Sequence, residues 1–282
     1  MAQSSLSAPR STTLPLPEKK AALRPRLQNL WLVLSLPLFI FLLLPLVALF
    51  LRISPIQLAT NLNQPFILKA VAISLATTFT STLVIILLGT PVAYLLARRQ
   101  IPFRRLIDTL LDLPIVLPPA VAGIALLMAF GRQGILGGAL SQLGIHLAFT
   151  PFAVLLAQTF IAAPFFIKSA SVGFANIDSE LEQAASLDGA SSWQLFRYLT
   201  IPLAWSALLS GAVMSWARAL GEFGATIIFA GNFPGRTQTM PLAIYMGFEL
   251  DLETALTLSV ILIGFSFLAL LIIKILLQRD ET

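Results

Sequence analysis

The sequence predicts an all-α integral membrane bundle of about six transmembrane helices, and three observations predict it. Apolar residues make up 57% of the 282 residues and charged residues only 11%, whereas an average soluble domain carries roughly 25% charged residues. With a mean hydropathy of +0.88, a soluble fold of this length could not hide its apolar surface. Several stretches also reach the roughly 20 apolar residues that a helix needs to cross the hydrocarbon core. Finally, Lys and Arg are divided unevenly between the loops that those stretches define, which is how topology is encoded. Cysteine is absent and histidine occurs once, at His146, which excludes a disulfide framework, thiolate metal sites, a cysteine nucleophile and a poly-histidine metal centre.

The spans follow in order. Residues 30–50 carry no charge and form the first. Residues 70–97 are also uncharged and long enough to cross with tilt, with Pro91 inside. Residues 107–130 begin with Asp108 and Asp112 and continue through Pro114, Pro118 and Pro119. Residues 147–167 form the fourth span, 202–230 the fifth, with Arg218 and Glu222 inside it, and 254–277 the sixth, interrupted near its end by Lys274.

Placing the N-terminus in the cytoplasm puts Arg10, Lys19, Lys20, Arg24, Arg26, Arg98, Arg99, Arg104, Arg105, Lys168, Arg197, Lys274 and Arg279 inside, against Arg52, Arg132 and Arg236 outside. That bias predicts a multi-pass protein with both termini cytoplasmic. Residues 1–29 are Ser/Pro-rich, then basic, and read as a disordered cytoplasmic tail; residues 30–282 form the transmembrane domain. The apolar run after the tail is too long for the core of a cleavable signal, and no small-residue cleavage site follows it. The Ser-rich, acid-poor tail leaves a transit peptide as the alternative.

The one sizeable cytoplasmic loop, residues 168–201, divides into two short helices. Ser179 with Glu182 three residues on predicts a capping box for the first, which ends at Gly189, a natural residue after a helix C-terminus. Ser191 or Ser192 starts the second, which carries Trp193, Phe196 and Tyr198 until Pro202 breaks it. The result is a capped knob whose small Ala side chains allow a partner to come close. The chain has no engine of its own: no Gly-x-x-x-x-Gly-Lys-Ser/Thr phosphate loop occurs, and none of its five lysines follows a Gly, so ATP hydrolysis would need a separate subunit.

The spacing Gln183-Ala184-Ala185, three residues, Gly189, nine residues, Leu199-Thr200-Ile201-Pro202 resembles the EAA loop of ABC-transporter permeases. That family's pattern is Glu-Ala-Ala, three residues, Gly, nine residues, Ile, any residue, Leu-Pro. The sequence departs from it at Gln183, with Glu182 immediately before, and in the exchange of aliphatic types at Leu199 and Ile201. The resemblance implies a coupling helix that docks on an ATPase, carried here by Glu182, Gln183, Ala184, Ala185, Gly189 and Pro202. Two further stretches, Leu113-Pro114-Ile115-Val116-Leu117-Pro118-Pro119 and Arg218-Ala219-Leu220-Gly221-Glu222-Phe223-Gly224-Ala225-Thr226, the latter continuing through Pro234-Gly235-Arg236-Thr237-Gln238-Thr239-Met240-Pro241-Leu242-Ala243-Ile244-Tyr245, look like the sulfate/molybdate permease family. The second resembles the molybdate branch more closely than the sulfate or thiosulfate branch. This likeness covers roughly residues 65 to 277. It implies a permease subunit of an ATP-driven importer in the bacterial cytoplasmic (inner) membrane, with no catalytic residue, cofactor or metal on this chain. It further implies a homodimer, two ATP-binding cassette subunits that use the ATP, an extracytoplasmic oxyanion-binding protein and a surrounding lipid bilayer; nothing in it suggests a nucleic-acid partner.

The candidate anion pathway or gate comprises Ser74, Thr77, Ser81, Arg218, Glu222 and Thr226. Arg218 and Glu222 stand one helical turn apart and can pair, and ionisable residues in a span mark function by default; an ion pair that only locks the bundle is the alternative. Ser74, Thr77 or Thr78, and Ser81 follow helical spacing and offer hydroxyls either to an oxyanion or back to their own helix carbonyls. A secondary transporter would suit the intramembrane charges but has no use for the loop, and an intramembrane enzyme lacks a catalytic set. Glu249, Asp251 and Glu253 read as a solvated outer rim.

Overall fold

Proline stands at the first or second position of seven of the fourteen helices among the described residues, because its missing N–H costs nothing in a first turn and its fixed φ is already helical. The computed structural model describes residues 25–98 and 102–278, with side chains for 30–98 and 102–275. It is 82% helical, and no strand occurs among the described residues. The helices are α1 (Pro25–Arg52), α2 (Pro55–Leu62), α3 (Pro65–Arg98), α4 (Arg104–Val116), α5 (Pro119–Phe130), α6 (Gly137–Gln142), α7 (Pro151–Ala175), α8 (Ser179–Leu187), α9 (Ser192–Leu195), α10 (Ile201–Leu203), α11 (Trp205–Leu220), α12 (Gly224–Phe229), α13 (Met240–Leu250) and α14 (Leu252–Gln278). Four are long and apolar enough to cross a membrane, and two bent pairs raise the number to six.

The chain divides into two units, Met1–Ala48 and Leu49–Thr282. The first contains most of α1, whose apolar side chains from Leu30 to Leu51 are largely exposed. Since α1 begins at Pro25, residues 25–29 of the expected disordered tail are helical; residues 1–24 lie outside the described residues.

In the second unit α7 is the central helix, packed on α3 along one side and α11 along another. Small residues make this possible. Ala93, Ala162, Ala170, Ala204 and Ala219 are all buried in one cluster with Phe166 and Phe174, and small side chains let membrane helices approach closely where dispersion, not the hydrophobic effect, drives contact. A second cluster joins α5, α7 and α12 through Ala122, Ala153, Ala157, Ala225 and Phe229. A third joins α3, α13 and α14 through Ile67, Met240 and Leu258.

Two predicted spans are broken. Residues 107–130 form α4 and α5, bent by 115°. Leu117 and Pro118 both adopt extended ψ, 135° and 134°, since each precedes a proline whose ring disfavours the helical region. Residues 202–230 likewise fail to make one helix: the pair Ser192–Leu203 and Trp205–Leu220 is bent by 71°, and α11 stops at Leu220 before the short α12. The first, second and sixth spans hold with longer bounds, whereas the fourth is shifted, starting at Pro151 and not at 147 and running on to Ala175.

Lys168 clamps the first half of the broken span to α7. Its Nζ lies 2.9 Å from Asp108 Oδ1 and 2.8 Å from Asp112 Oδ2, and the other Asp112 oxygen is buried without a hydrogen-bond partner. Lys168→Met would leave that carboxylate without its cation. We expect a loss of about 1–3 kcal/mol in detergent unfolding, and a smaller loss for Asp108→Asn, whose partner keeps Asp112.

Candidate functional site

The loop between α7 and α11 is built as a short-range structure. Asp178, not Ser179, is the N-cap of α8: its Oδ1 accepts the Glu180 N–H at 2.9 Å. The capping box expected from Ser179 and Glu182 therefore does not form, because Asp178 is the better anionic cap and Glu182 is engaged elsewhere. Gly189 follows the helix with φ of +89°, the left-handed geometry that a glycine supplies without a Cβ penalty. Ser191 and Gln194 form the capping box of α9. The chain then widens into a π turn at Phe196–Thr200 and continues as α10. Pro202 does not break the helix as the sequence suggested. The π turn, an insertion frequent at functional sites, accommodates the missing donor, and the chain bends two residues later at Ala204.

On this knob, Gln183, Ala184, Leu187, Gly189, Trp193 and Tyr198 are exposed and Ala185 is half-buried. Leu187 is 89% exposed, and Leu181 and Trp193 are exposed with it on the knob. Glu182 points the other way. Its Oε1 forms an ion pair with Arg98 Nη2 at 3.1 Å and accepts from the Thr200 hydroxyl at 3.4 Å. Arg98 Nη2 also donates to the Ile177 carbonyl at 2.9 Å. On the second half of the knob, Phe196 meets Tyr94 of α3 edge-on at 5.3 Å and stands 6.4 Å from Phe174 of α7. Arg98 and this aromatic cluster were not singled out from the sequence; the clue available was an Arg at the end of a span and an acidic residue beside the motif.

The second group lies where α11 ends. Arg218 Nη1 and Glu222 Oε2 are 3.0 Å apart, with side chains 31% and 1% exposed. Glu222 lies beyond the helix, in the Gly221–Phe223 break, and its Oε1 accepts the Ala225 N–H at 2.9 Å. The carboxylate thus supplies the partner that a continuous helix would have given to that N–H. Thr226, one turn on, is fully buried and its hydroxyl has no partner. On α3, the Ser74 hydroxyl accepts the Met240 N–H at 2.6 Å, holding the start of α13. Thr77 donates to the Ile73 carbonyl at 2.8 Å and Ser81 to the Thr78 carbonyl at 3.0 Å. Ser74 and Ser81 are buried and Thr77 is half-buried. The structure therefore joins Arg218 to Glu222, commits the Ser74 hydroxyl to the start of α13, and leaves Thr77 and Ser81 bonded to carbonyls of their own helix.

Residues 85–279 match the family described as "binding-protein-dependent transport system inner membrane component". Among curated proteins, the molybdenum transport system permease protein ModB of Mycobacterium tuberculosis is 39% identical over 232 residues, 82% of this chain and 88% of the relative. ModB of Escherichia coli K12 is 39% identical over 178 residues, 63% of this chain and 78% of its own length. A probable transport system permease protein, NifC of Clostridium pasteurianum, is 32% identical over 257 residues, 90% of each chain. Among solved structures, a bacterial ABC transporter that imports the acidic polysaccharide alginate superposes with a TM-score of 0.67 at 16% identity, covering 91% of this chain and 97% of that one. The MetNI methionine transporter in an inward-facing form gives 0.59 at 19% identity, covering 76% and 95%.

Proposed function

Because the chain belongs to the binding-protein-dependent transport system inner membrane components, integral transport subunits that are not enzymes, we propose that it is the permease of an ABC importer whose cargo is molybdate, with tungstate as a second cargo of the same shape and charge. The observation that carries the cargo is the 39% identity, over 82% of the chain, with a relative named as a molybdenum permease. The sulfate or thiosulfate reading is not favoured by these relatives.

The rest of the machine follows from this reading. Two copies of the chain form the conduit, with both termini cytoplasmic as the basic residues direct. Two ATP-binding cassette subunits receive the exposed face of α8, Gln183, Ala184 and Leu187, with Ala185 behind it, while Gly189 and Pro202 shape the knob. An extracytoplasmic oxyanion-binding protein delivers the anion. Arg218 is the half-buried cation in the span that meets it, and Glu222 keeps the guanidinium from holding it too tightly. Of Ser74, Thr77 and Ser81, Thr77 is the most accessible for a contact along the way, while Ser74, Ser81 and Thr226 set the packing around the path.

Tracer uptake tests the cargo. With the chain and its partners in a permease-deficient host, labelled molybdate should enter despite a large excess of sulfate. Sulfate entry resistant to excess molybdate would overturn the cargo and leave the fold and loop untouched. ATP-independent entry of either anion would overturn the importer.

A further inference from the structure

Within the loop that resembles a coupling helix, one acidic residue is turned away from any partner and into the protein. Glu182 sits on α8, and its carboxylate is 3.1 Å from Arg98 Nη2 at the C-terminal end of α3. Side-chain exposure is 23% for Glu182 and 14% for Arg98, so the pair is shielded from solvent and its attraction is stronger than at an open surface. The same guanidinium nitrogen donates to the carbonyl of Ile177, just beyond α7, at 2.9 Å. The Thr200 hydroxyl, which is buried, reaches the same Glu182 oxygen from the π turn at 3.4 Å. Four segments thus meet at one ion pair: α3, the end of α7, α8, and the turn that leads into α11.

The second half of the knob is tied to the same two helices by different chemistry. Phe196 packs edge-on against Tyr94 at 5.3 Å, and Tyr94 packs edge-on against Phe174 at 5.6 Å. The knob is therefore held to α3 and α7 both at Glu182 and at Phe196. A loop fixed at two points cannot swing on flexible ends; displacement of α8 must carry the end of α3 with it. Nine residues in from its other end, α3 offers Ser74, whose hydroxyl accepts the Met240 N–H at 2.6 Å. The intervening helix, Ser74 to Arg98, spans roughly 36 Å at 1.5 Å per residue, and it is continuous.

We propose that Arg98 and Glu182 are positioning residues that link the coupling helix rigidly to α3, so that a push on α8 by the partner ATPase moves α3 and the start of α13 together. This inference rests on the reading of α8 as the ATPase-docking helix. The link acts on transmission, not on docking, because the exposed docking face of α8 is formed by Gln183, Ala184 and Leu187 and the ion pair lies behind it.

The test uses the full transporter, with its ATPase subunits and binding protein, in liposomes, and reads ATP hydrolysed and molybdate imported in the same preparation. Arg98→Gln and Glu182→Gln should each still co-purify with the ATPase and hydrolyse ATP. The anion moved per ATP should fall about tenfold, within the ordinary range of coupling free energies between sites. The charge-exchanged pair Arg98→Glu with Glu182→Arg should recover a substantial part of that yield, which a merely structural cost at either position would not predict. An unchanged yield per ATP in both single variants, or no recovery in the exchanged pair, overturns the proposal. Leu187→Glu, on the exposed face, tests the reading beneath it. Loss of ATPase co-purification supports α8 as the docking helix, and retained association with normal hydrolysis overturns that reading separately from the link.

Discussion

Arg218→Met is expected to destabilise the folded chain by about 3–5 kcal/mol, the cost of leaving a buried charge without its partner. Glu222 is the reason. Its side chain is 1% exposed, against 31% for Arg218, so it alone has no route to solvent once the guanidinium is gone. The Ala225 N–H still donates to it at one oxygen, which offsets only part of the loss. The opposite deletion should be milder: in Glu222→Gln the amide oxygen can still accept from Ala225, and the half-exposed Arg218 keeps access to water. The double variant Arg218→Met with Glu222→Gln should recover most of the stability lost in Arg218→Met, as removal of both partners of a buried pair commonly does. Unfolding in detergent measures all three. Uptake then separates the two roles open to the pair. If Arg218 meets the anion, the double variant will be folded and inactive; if the pair only locks the bundle, uptake will return with stability. A double variant as unstable as Arg218→Met would contradict the burial argument itself.

The membrane class, the all-helical architecture and the knob between α7 and α11 were legible in the sequence because each depends on local signals. Long apolar runs, Gly189 after a helix and the serines Ser191 and Ser192 at the start of another carry their meaning within a few residues. Hydropathy, however, integrates over a window and is blind to direction. The stretch 107–130 carries no charge beyond Asp112, yet Leu117 and Pro118 turn it by 115°. Prolines disfavour a straight helix there, and the packing of α5 against α7 and α12 holds the bend.

At the candidate site the same divide holds. Arg218 and Glu222 were paired correctly from their spacing, but the sequence placed them in one helix. The structure ends α11 at Leu220 and lets the carboxylate cap the break, which depends on Gly221 and Gly224 yielding the helix and on the burial of Glu222. Glu182 was read as half of a capping box, and the structure gives that work to Asp178. Arg98 is 84 positions away in sequence from Glu182, and no local pattern carries a contact across that distance. The α3 hydroxyls show the reverse: their helical spacing was visible, and the structure supplies the hydrogen bonds that Ser74, Thr77 and Ser81 make.

Gly173→Leu is expected to be as damaging as any change in the molecule, although it touches no charge. A Cβ at Gly173 would collide with the Ala207 Cβ of α11, and a Cβ at Gly211 of α11 would stand 2.9 Å from the Ser169 Cβ of α7. The two helices are thus closest where each presents a glycine to the other's small side chain. Two hydrogen bonds depend on this spacing, from the Ser169 hydroxyl to the Ala207 carbonyl and from the Ser215 hydroxyl to the Ala162 carbonyl, both at 2.7 Å. A leucine would push the helices apart, strain both bonds and loosen the base of the knob that they carry. Overpacking of this kind costs about 3 kcal/mol or more when backbone must move. Position alone should decide the effect. Gly264 lies in α14 with open space around it, and Gly264→Ala should be neutral or stabilising by up to about 1 kcal/mol, since alanine is the better helix former. Exchange of the contact tests the mechanism directly: Gly173→Ala with Ala207→Gly should be more stable than Gly173→Ala alone, because the methyl group has only changed sides. If unfolding in detergent ranks the exchanged pair no higher than the single variant, steric closeness of α7 and α11 is not what the glycine provides.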